Sequence, residues 1–113
     1  MDATADQGLS QGLARVRARF LGELEGRAAR VYALRAALDA PATADEALVE
    51  IGRIAHKIAG TAATLGFPDL GTAAAAIDEA ASRHADPAAP PASALAPEVD
   101  RLLNAMQAAL RGG

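Results

Sequence analysis

Apolar residues recur at steps of three and four along the chain, and this spacing constrains the fold more than any other feature. Such steps place side chains on one face of an α-helix, which turns once in about 3.6 residues. Gly22 and Gly26 are points where the first helix could bend into two nearly collinear parts, and Ala40–Pro41 should end it. Its apolar stripe comprises Leu9, Leu13, Val16, Phe20, Leu24, Ala28, Val31, Leu34 and Leu38.

Two further helices are predicted in the middle of the chain. Residues Thr43–Glu46 have the pattern of a capping box that opens the second helix, and Gly66 should end it. Pro68 suits the first turn of a third helix, which fades near His84. The stripe of the second helix is Leu48, Ile51, Ala55, Ile58, Ala62 and Leu65, and that of the third is Leu70, Ala73, Ala74, Ile77 and Ala81.

The last third of the chain contains a connector and a fourth helix. Residues 85–97 are rich in proline and alanine, and their prolines exclude a continuous helix. The fourth helix should begin at about Glu98, with Val99, Leu102, Leu103, Met106 and Leu110 facing inward. No segment has the alternation of a strand. We therefore predict a single all-α domain over residues 1–113, folded as an antiparallel four-helix bundle with short turns.

The composition supports helices and excludes several functions. Apolar residues make up 51% of the chain, but aromatic residues make up only 3%. Many of the apolar residues are alanine, which is a strong helix former and a poor strand former. The net charge of −3 leaves no basic excess to hold a nucleic-acid backbone. Without cysteine there can be no disulfide, thiolate metal site or cysteine nucleophile.

The N-terminus and the hydropathy of the chain bear on its location. Residues 1–6 are polar and acidic, unlike the basic start and apolar core of a secretory signal. No stretch approaches the roughly 20 apolar residues that span a bilayer. We therefore expect a cytoplasmic protein that binds neither a membrane nor nucleic acid.

His56 has an unusual setting on the second helix. Ala55 belongs to the buried stripe, so His56 lies about 100° away from it, toward solvent. Glycine costs about 1 kcal/mol relative to alanine inside a helix, so glycines one turn to either side suggest a need for clearance. The positions that share the surface of His56 are Gly52, Arg53, Ala59, Gly60 and, one turn further, Ala63. Arg53 and Lys57 bring positive charge that suits a phosphoryl dianion.

Residues 55–70 have the sequence Ala-His-Lys-Ile-Ala-Gly-Thr-Ala-Ala-Thr-Leu-Gly-Phe-Pro-Asp-Leu. This sequence resembles the signature segment of histidine phosphotransfer (HPt) domains. That segment has an alanine–histidine pair, an aliphatic residue two positions later, glycine at four, and a leucine–glycine pair that closes the helix. The four-helix layout extends the resemblance over most of the chain. In one departure, Ala59 stands where many members carry a lysine, so Arg53 or Lys57 must supply the local cation.

The resemblance implies a phosphorelay carrier. A receiver domain with an aspartyl phosphate would dock over the small residues, and neutral His56 would attack the phosphorus and later donate the group to a second receiver. The implied partners are response-regulator receiver domains and a hybrid histidine kinase. The chain itself would be a monomer without intrinsic kinase activity or bound cofactor, because the Mg²⁺ for this chemistry belongs to the receiver.

Two alternatives remain from the sequence. The same fold could serve as an adaptor or inhibitor that docks on a histidine kinase or response regulator without carrying phosphate. A structural bundle or a metal-binding carrier is the second alternative, although two histidines, two methionines and no cysteine offer few ligands. His84, at the polar end of the third helix, is interpreted as a mildly stabilising cation near a helix C-terminus.

Overall fold

The structure, a computed structural model, describes the backbone of residues 3–112 and the side chains of residues 10–112. The described residues contain no β-strand and form the helices α1 (Ala3–Ala37), α2 (Ala44–Ala59), α3 (Pro68–Arg83) and α4 (Ala96–Gly112). A short 3-10 helix at Ala92–Leu95 precedes α4, which begins two residues before the predicted Glu98. The predicted all-α fold with four main helices is confirmed.

The helices pack in the order in which they occur in the chain. α2 packs most extensively on α3, and α4 closes the bundle by packing on both α3 and α1. Consecutive helices joined by short connections run antiparallel. The core consists of apolar side chains, and no polar or charged residue is buried in the described part of the chain. Its largest fully buried members are Leu24, Val31, Leu38, Leu48, Ile51, Ile58, Leu70, Ile77, Val99, Leu102 and Met106.

The first helix is longer than the bundle. α1 has 35 residues and α2 has 16, which correspond to about 52 and 24 Å of helix. The buried members of this apolar stripe are Phe20, Leu24, Val31, Leu34 and Leu38, and Ala28 is half-buried. Leu13 is 52% and Val16 is 51% exposed. These two members of the predicted stripe are therefore not part of the buried core. The side chain of Leu9 lies outside the described residues.

The glycines of α1 do not divide it, since one uninterrupted helix runs through Gly22 and Gly26. None of the helices within residues 3–112 is both long and apolar enough to cross a membrane.

The start of α2 differs from the predicted capping box. Thr43 occupies the N-cap position, but its backbone is helical, with φ −119° and ψ −8°, and its side chain makes no capping hydrogen bond. Its hydroxyl instead donates to the carbonyl oxygens of Ala37, at 2.7 Å, and Ala40. An N-cap side chain reaches the helix N–H groups from an extended backbone, so Thr43 instead ties α2 to the end of α1.

The end of α2 is a series of tight turns. The last regular residue is Ala59, and residues 60–66 continue the helical path as turns rather than as the predicted helix. Gly66 has φ +94°, a conformation that glycine adopts readily. The N–H of Phe67 donates to the Ala62 carbonyl at 2.9 Å and that of Gly66 to the Ala63 carbonyl at 3.2 Å. These bonds form a Schellman motif, so Gly66 does end the helical path.

Candidate functional site

The position of His56 follows from the amphipathic pattern of α2. Ala55 and Ile58 are fully buried on the core side of the helix. The side chain of His56 is 76% exposed on its outer flank, close to α3. The sequence-based prediction that this imidazole faces solvent agrees with the structure.

An acidic residue of α3 orients the imidazole. Nδ1 of His56 lies 3.0 Å from Oδ2 of Asp78, whose side chain is 34% exposed. The sequence analysis missed Asp78, although a signal was present. Asp78 directly follows the buried Ile77, just as His56 directly follows the buried Ala55. A polar residue that directly follows a buried one lies at the edge of the helix contact. On two neighbouring helices, two such residues can therefore lie side by side.

The hydrogen bond decides which nitrogen is available for chemistry. A carboxylate oxygen only accepts hydrogen bonds, so the proton of the neutral ring resides on Nδ1. Nε2 then keeps its lone pair. With the ring mostly exposed, Nε2 forms no hydrogen bond within the described residues. The site therefore presents an oriented, nucleophilic nitrogen to the surroundings.

Small residues lie beside the imidazole toward the C-terminal end of α2. Gly60 is exposed, and a Cβ placed there would meet only the carbonyl oxygen of His56, at 4.0 Å. Ala63 is also exposed, and Ala59 is half-buried. These three residues, which we call the small-residue strip, leave the side of His56 open to an approaching surface.

Gly52 does not belong to this strip, and its predicted role in clearance is wrong. It is buried in the contact between α2 and α3. A Cβ at this position would lie 2.5 Å from Cβ of Ala81, closer than two carbon atoms can pack. Gly52 therefore allows the two helices to approach closely, which holds His56 within reach of Asp78.

Two basic residues lie close to His56 along α2. Arg53 and Lys57 are exposed, and neither forms an ion pair with another described side chain. Hydrogen bonds from Arg30, one of them 2.8 Å long, are the main cause that lowers the pKa of Glu50, and the charge of Arg53 contributes further. Glu50 is thus already bonded to Arg30, which leaves Arg53 available to an external anion.

The turn after the strip is anchored by an aromatic contact. Phe67 is buried, and its ring stacks on that of Phe20 with the centroids 5.8 Å apart. The guanidinium of Arg17 lies 4.7 Å from the centroid of Phe67. The hydroxyl of Thr61 donates to the carbonyl of Lys57 at 3.1 Å. The two contacts of Phe67 join the end of the site to α1, and the bond from Thr61 stabilises the turn itself.

The fold and the site together define a class of protein. It is a helical bundle that carries an accessible histidine on its surface, oriented through Nδ1 and flanked by small residues and cations. The family model for the Hpt domain matches residues 15–111. The chain therefore belongs to the Hpt domain family, whose members carry phosphoryl groups on histidine in phosphorelays and interact there with receiver domains and kinases. No curated protein and no solved structure gives a significant match to the chain.

Proposed function

We propose that His56 accepts a phosphoryl group on Nε2 from the aspartyl phosphate of a receiver domain and passes it to the aspartate of a second receiver. The observation that carries this proposal is the 3.0 Å hydrogen bond from Nδ1 to Asp78, which leaves Nε2 of an exposed ring unprotonated. The donor would be the receiver of a hybrid histidine kinase and the acceptor that of a response regulator, both in the cytoplasm.

In the transfer step, the lone pair of Nε2 attacks phosphorus in line with the bond to the aspartyl oxygen. The N–P bond forms, the P–O bond breaks, and the receiver carboxylate leaves with the electron pair. The imidazole gains positive charge because its Nδ1 proton stays in place, and the carboxylate of Asp78 stabilises that charge. The reverse sequence returns the group to a receiver, so the same residue serves as acceptor and donor.

The chain also contributes open space beside His56 and positive charge near it. The small-residue strip admits the partner's surface to the bonding distance that an in-line transfer requires. Arg53 and Lys57 stabilise the phosphoryl dianion electrostatically. The acidic cluster and the Mg²⁺ ion belong to the receiver, so this chain acts as a monomeric carrier and not as a kinase.

The test is transfer from receiver domains of the same organism. Each receiver is phosphorylated, incubated with the chain, and removed before the phosphoprotein is analysed. We expect an acid-labile, alkali-stable label that peptide mapping assigns to His56 and that ³¹P–¹⁵N coupling assigns to Nε2.

Two outcomes would contradict the proposal. A label on Nδ1 would show that Asp78 does not hold the ring in the orientation described. Tight binding of receivers without any transfer would instead support a non-phosphorylated adaptor or inhibitor.

A further inference from the structure

The bond between His56 and Asp78 also acts on the phosphorylated ring. Once Nε2 carries a phosphoryl group, the imidazole has a positively charged form with a proton on Nδ1 and a neutral form without it. The carboxylate of Asp78, whose Oδ2 lies 3.0 Å from Nδ1, accepts a hydrogen bond only from the charged form. A hydrogen bond to the charged form favours that form, so Asp78 keeps the phosphorylated ring protonated.

The other charged groups around the ring oppose this effect only weakly. Arg53 and Lys57 on α2 are exposed, and exposed charges interact by less than about 1 kcal/mol. On α3, the carboxylate of Glu79 is paired with Arg83. No arginine or lysine of the described residues pairs with Asp78, so its charge remains directed at the imidazole.

The proton on Nδ1 decides how easily the N–P bond breaks. Phosphoryl transfer passes through a loose transition state, in which the bond to the leaving group is largely broken before the bond to the incoming oxygen forms. A protonated ring leaves as neutral imidazole, whereas an unprotonated ring would have to leave as an imidazolide anion. The rate therefore depends more on this proton than on the strength of the nucleophile, and water itself can serve as the nucleophile.

Water can reach the phosphoryl group from the side of the small-residue strip. The side chain of His56 is 76% exposed, and Gly60 and Ala63 beside it are exposed. A receiver domain docked for transfer would cover this space. The free, phosphorylated chain is therefore the form that is open to water.

We propose that the phosphorylated chain hydrolyses its own phosphohistidine and that Asp78 sets the rate. A water oxygen attacks phosphorus opposite Nε2, the new P–O bond forms, and the N–P bond breaks. The electron pair of the N–P bond returns to Nε2, and the ring leaves as neutral imidazole with its proton still on Nδ1. Both protons of the water remain on the product, dihydrogen phosphate.

The consequence is a limit on how long the chain stores a phosphoryl group. A carrier that no receiver discharges loses the group to water, so the stored signal decays after its input stops. This activity rests on the proposed function in one respect, the phosphorylation of His56 on Nε2, and requires no receiver.

The test measures the lifetime of the phosphohistidine by ³¹P NMR without any receiver. Phosphoramidate, a small donor, labels the chain, the excess is removed by gel filtration, and the decay of the N–P signal gives the half-life. Asp78→Asn removes the charge, and its amide N–H can donate to an unprotonated Nδ1, which favours the neutral ring. We expect the half-life at neutral pH to lengthen about tenfold, equivalent to about 1.4 kcal/mol of barrier.

Glu79→Gln is the matched control, because it removes the carboxylate next to Asp78 in the chain and leaves the bond to the imidazole in place. Its half-life should equal that of the wild type. The wild-type chain unfolded in urea is a second reference, since its ring is no longer held by Asp78, and its label should decay more slowly than that of the folded chain at the same pH.

The pH profile separates this chemical role of Asp78 from a structural one. The carboxylate keeps the proton on the phosphorylated ring as the pH rises, so hydrolysis of the wild type should continue to higher pH than that of Asp78→Asn. A change in packing alone would not move the profile along the pH axis.

The outcomes separate the two proposals. A folded wild type that loses its label no faster than the unfolded chain, or an unchanged half-life in Asp78→Asn, would overturn the hydrolysis and leave the proposed function intact. If the half-life depends on Asp78 but no receiver exchanges phosphate with His56, the hydrolysis stands and the proposed function fails. A chain that phosphoramidate does not label on His56 would overturn both.

Discussion

His56 and His84 are the two histidines of the chain, and each bonds to an aspartate of another helix with opposite consequences. His56 bonds to Asp78 through Nδ1 at 3.0 Å, and its side chain is 76% exposed. His84 bonds to Asp45 through Nε2 at 2.8 Å, and its side chain is only 20% exposed. The remaining nitrogen of His84, Nδ1, is buried and has no hydrogen-bond partner among the residues that the structure describes.

The contrast shows that a histidine–aspartate pair is not in itself a reactive site. In His56 the carboxylate of Asp78 bonds to Nδ1, the ring nitrogen nearer the backbone, and Nε2 faces solvent. In His84 the carboxylate of Asp45 bonds to Nε2, and Nδ1 is buried in the protein. His84 thus links the end of α3 to the start of α2.

The largest expected effect is the difference between the two histidines themselves. His56→Gln should lose all receiver-driven labelling and keep its fold, because an exposed side chain seldom contributes more than about 0.5 kcal/mol. His84→Gln should keep full labelling and lose about 1 kcal/mol of stability with the bond to Asp45. Labelling and urea unfolding of both variants provide the measurement. Retained labelling in His56→Gln would show that the acceptor is elsewhere.

Gly60→Glu should abolish transfer almost completely without unfolding the protein. The new side chain would occupy the open space beside His56 and bring negative charge near the phosphoryl dianion. We expect transfer to fall by orders of magnitude while the melting temperature changes little. Gly22→Glu is the matched control, since Gly22 is an exposed glycine of α1 and a Cβ added there would meet nothing within 4 Å. An unfolded Gly60→Glu would mean that Gly60 is a packing contact.

The two glycines near His56 should respond to alanine in opposite directions. Gly52→Ala forces Cβ atoms of α2 and α3 together and should cost about 1–3 kcal/mol of unfolding free energy. Gly60→Ala should gain up to about 1 kcal/mol, because Gly60 has helical angles and open space. Urea unfolding measures both changes. If Gly52→Ala is as stable as the wild type, the close approach of α2 to α3 is not required.

Asp78→Asn should slow transfer about tenfold with little change in stability. An amide can donate to Nδ1, which favours a ring protonated on Nε2, and it carries no charge to stabilise the phosphorylated ring. ¹⁵N chemical shifts of the imidazole report the tautomer directly. Asp45→Asn is the paired control and should leave transfer unchanged. An unaltered tautomer in Asp78→Asn would show that another group orients His56.

The smallest expected effect concerns the cations. Arg53→Ala and Lys57→Ala should each slow transfer severalfold, with Arg53 the more important because it is one helical turn from His56. Salt screens exposed charges, so the differences should shrink as ionic strength rises. Labelling time courses at low and high salt measure this. A double variant that equals the wild type at low salt would remove the electrostatic part of the proposal.

Much of the fold was predictable because it depends on local periodicity. The stripe of α2 and that of α3 predicted which side chains enter the core, and only Leu65 and Ala81 remain partly exposed. Pro68 begins α3 as predicted, since its fixed φ and missing N–H suit the first helical turn. The capping box failed because the hydroxyl of Thr43 found carbonyl acceptors at the end of α1, a contact across a turn that the local pattern does not encode.

For the candidate site, the sequence by itself determined the exposed His56 and the small-residue strip beside it. Both follow from the helical register relative to Ala55, which is a property of α2 alone. Only the tertiary structure decided that Asp78 orients the ring, that Gly52 is buried, and that Leu13 and Val16 are uncovered. Each of these depends on how far one helix extends along another and how closely the two approach, and those quantities arise when the helices pack.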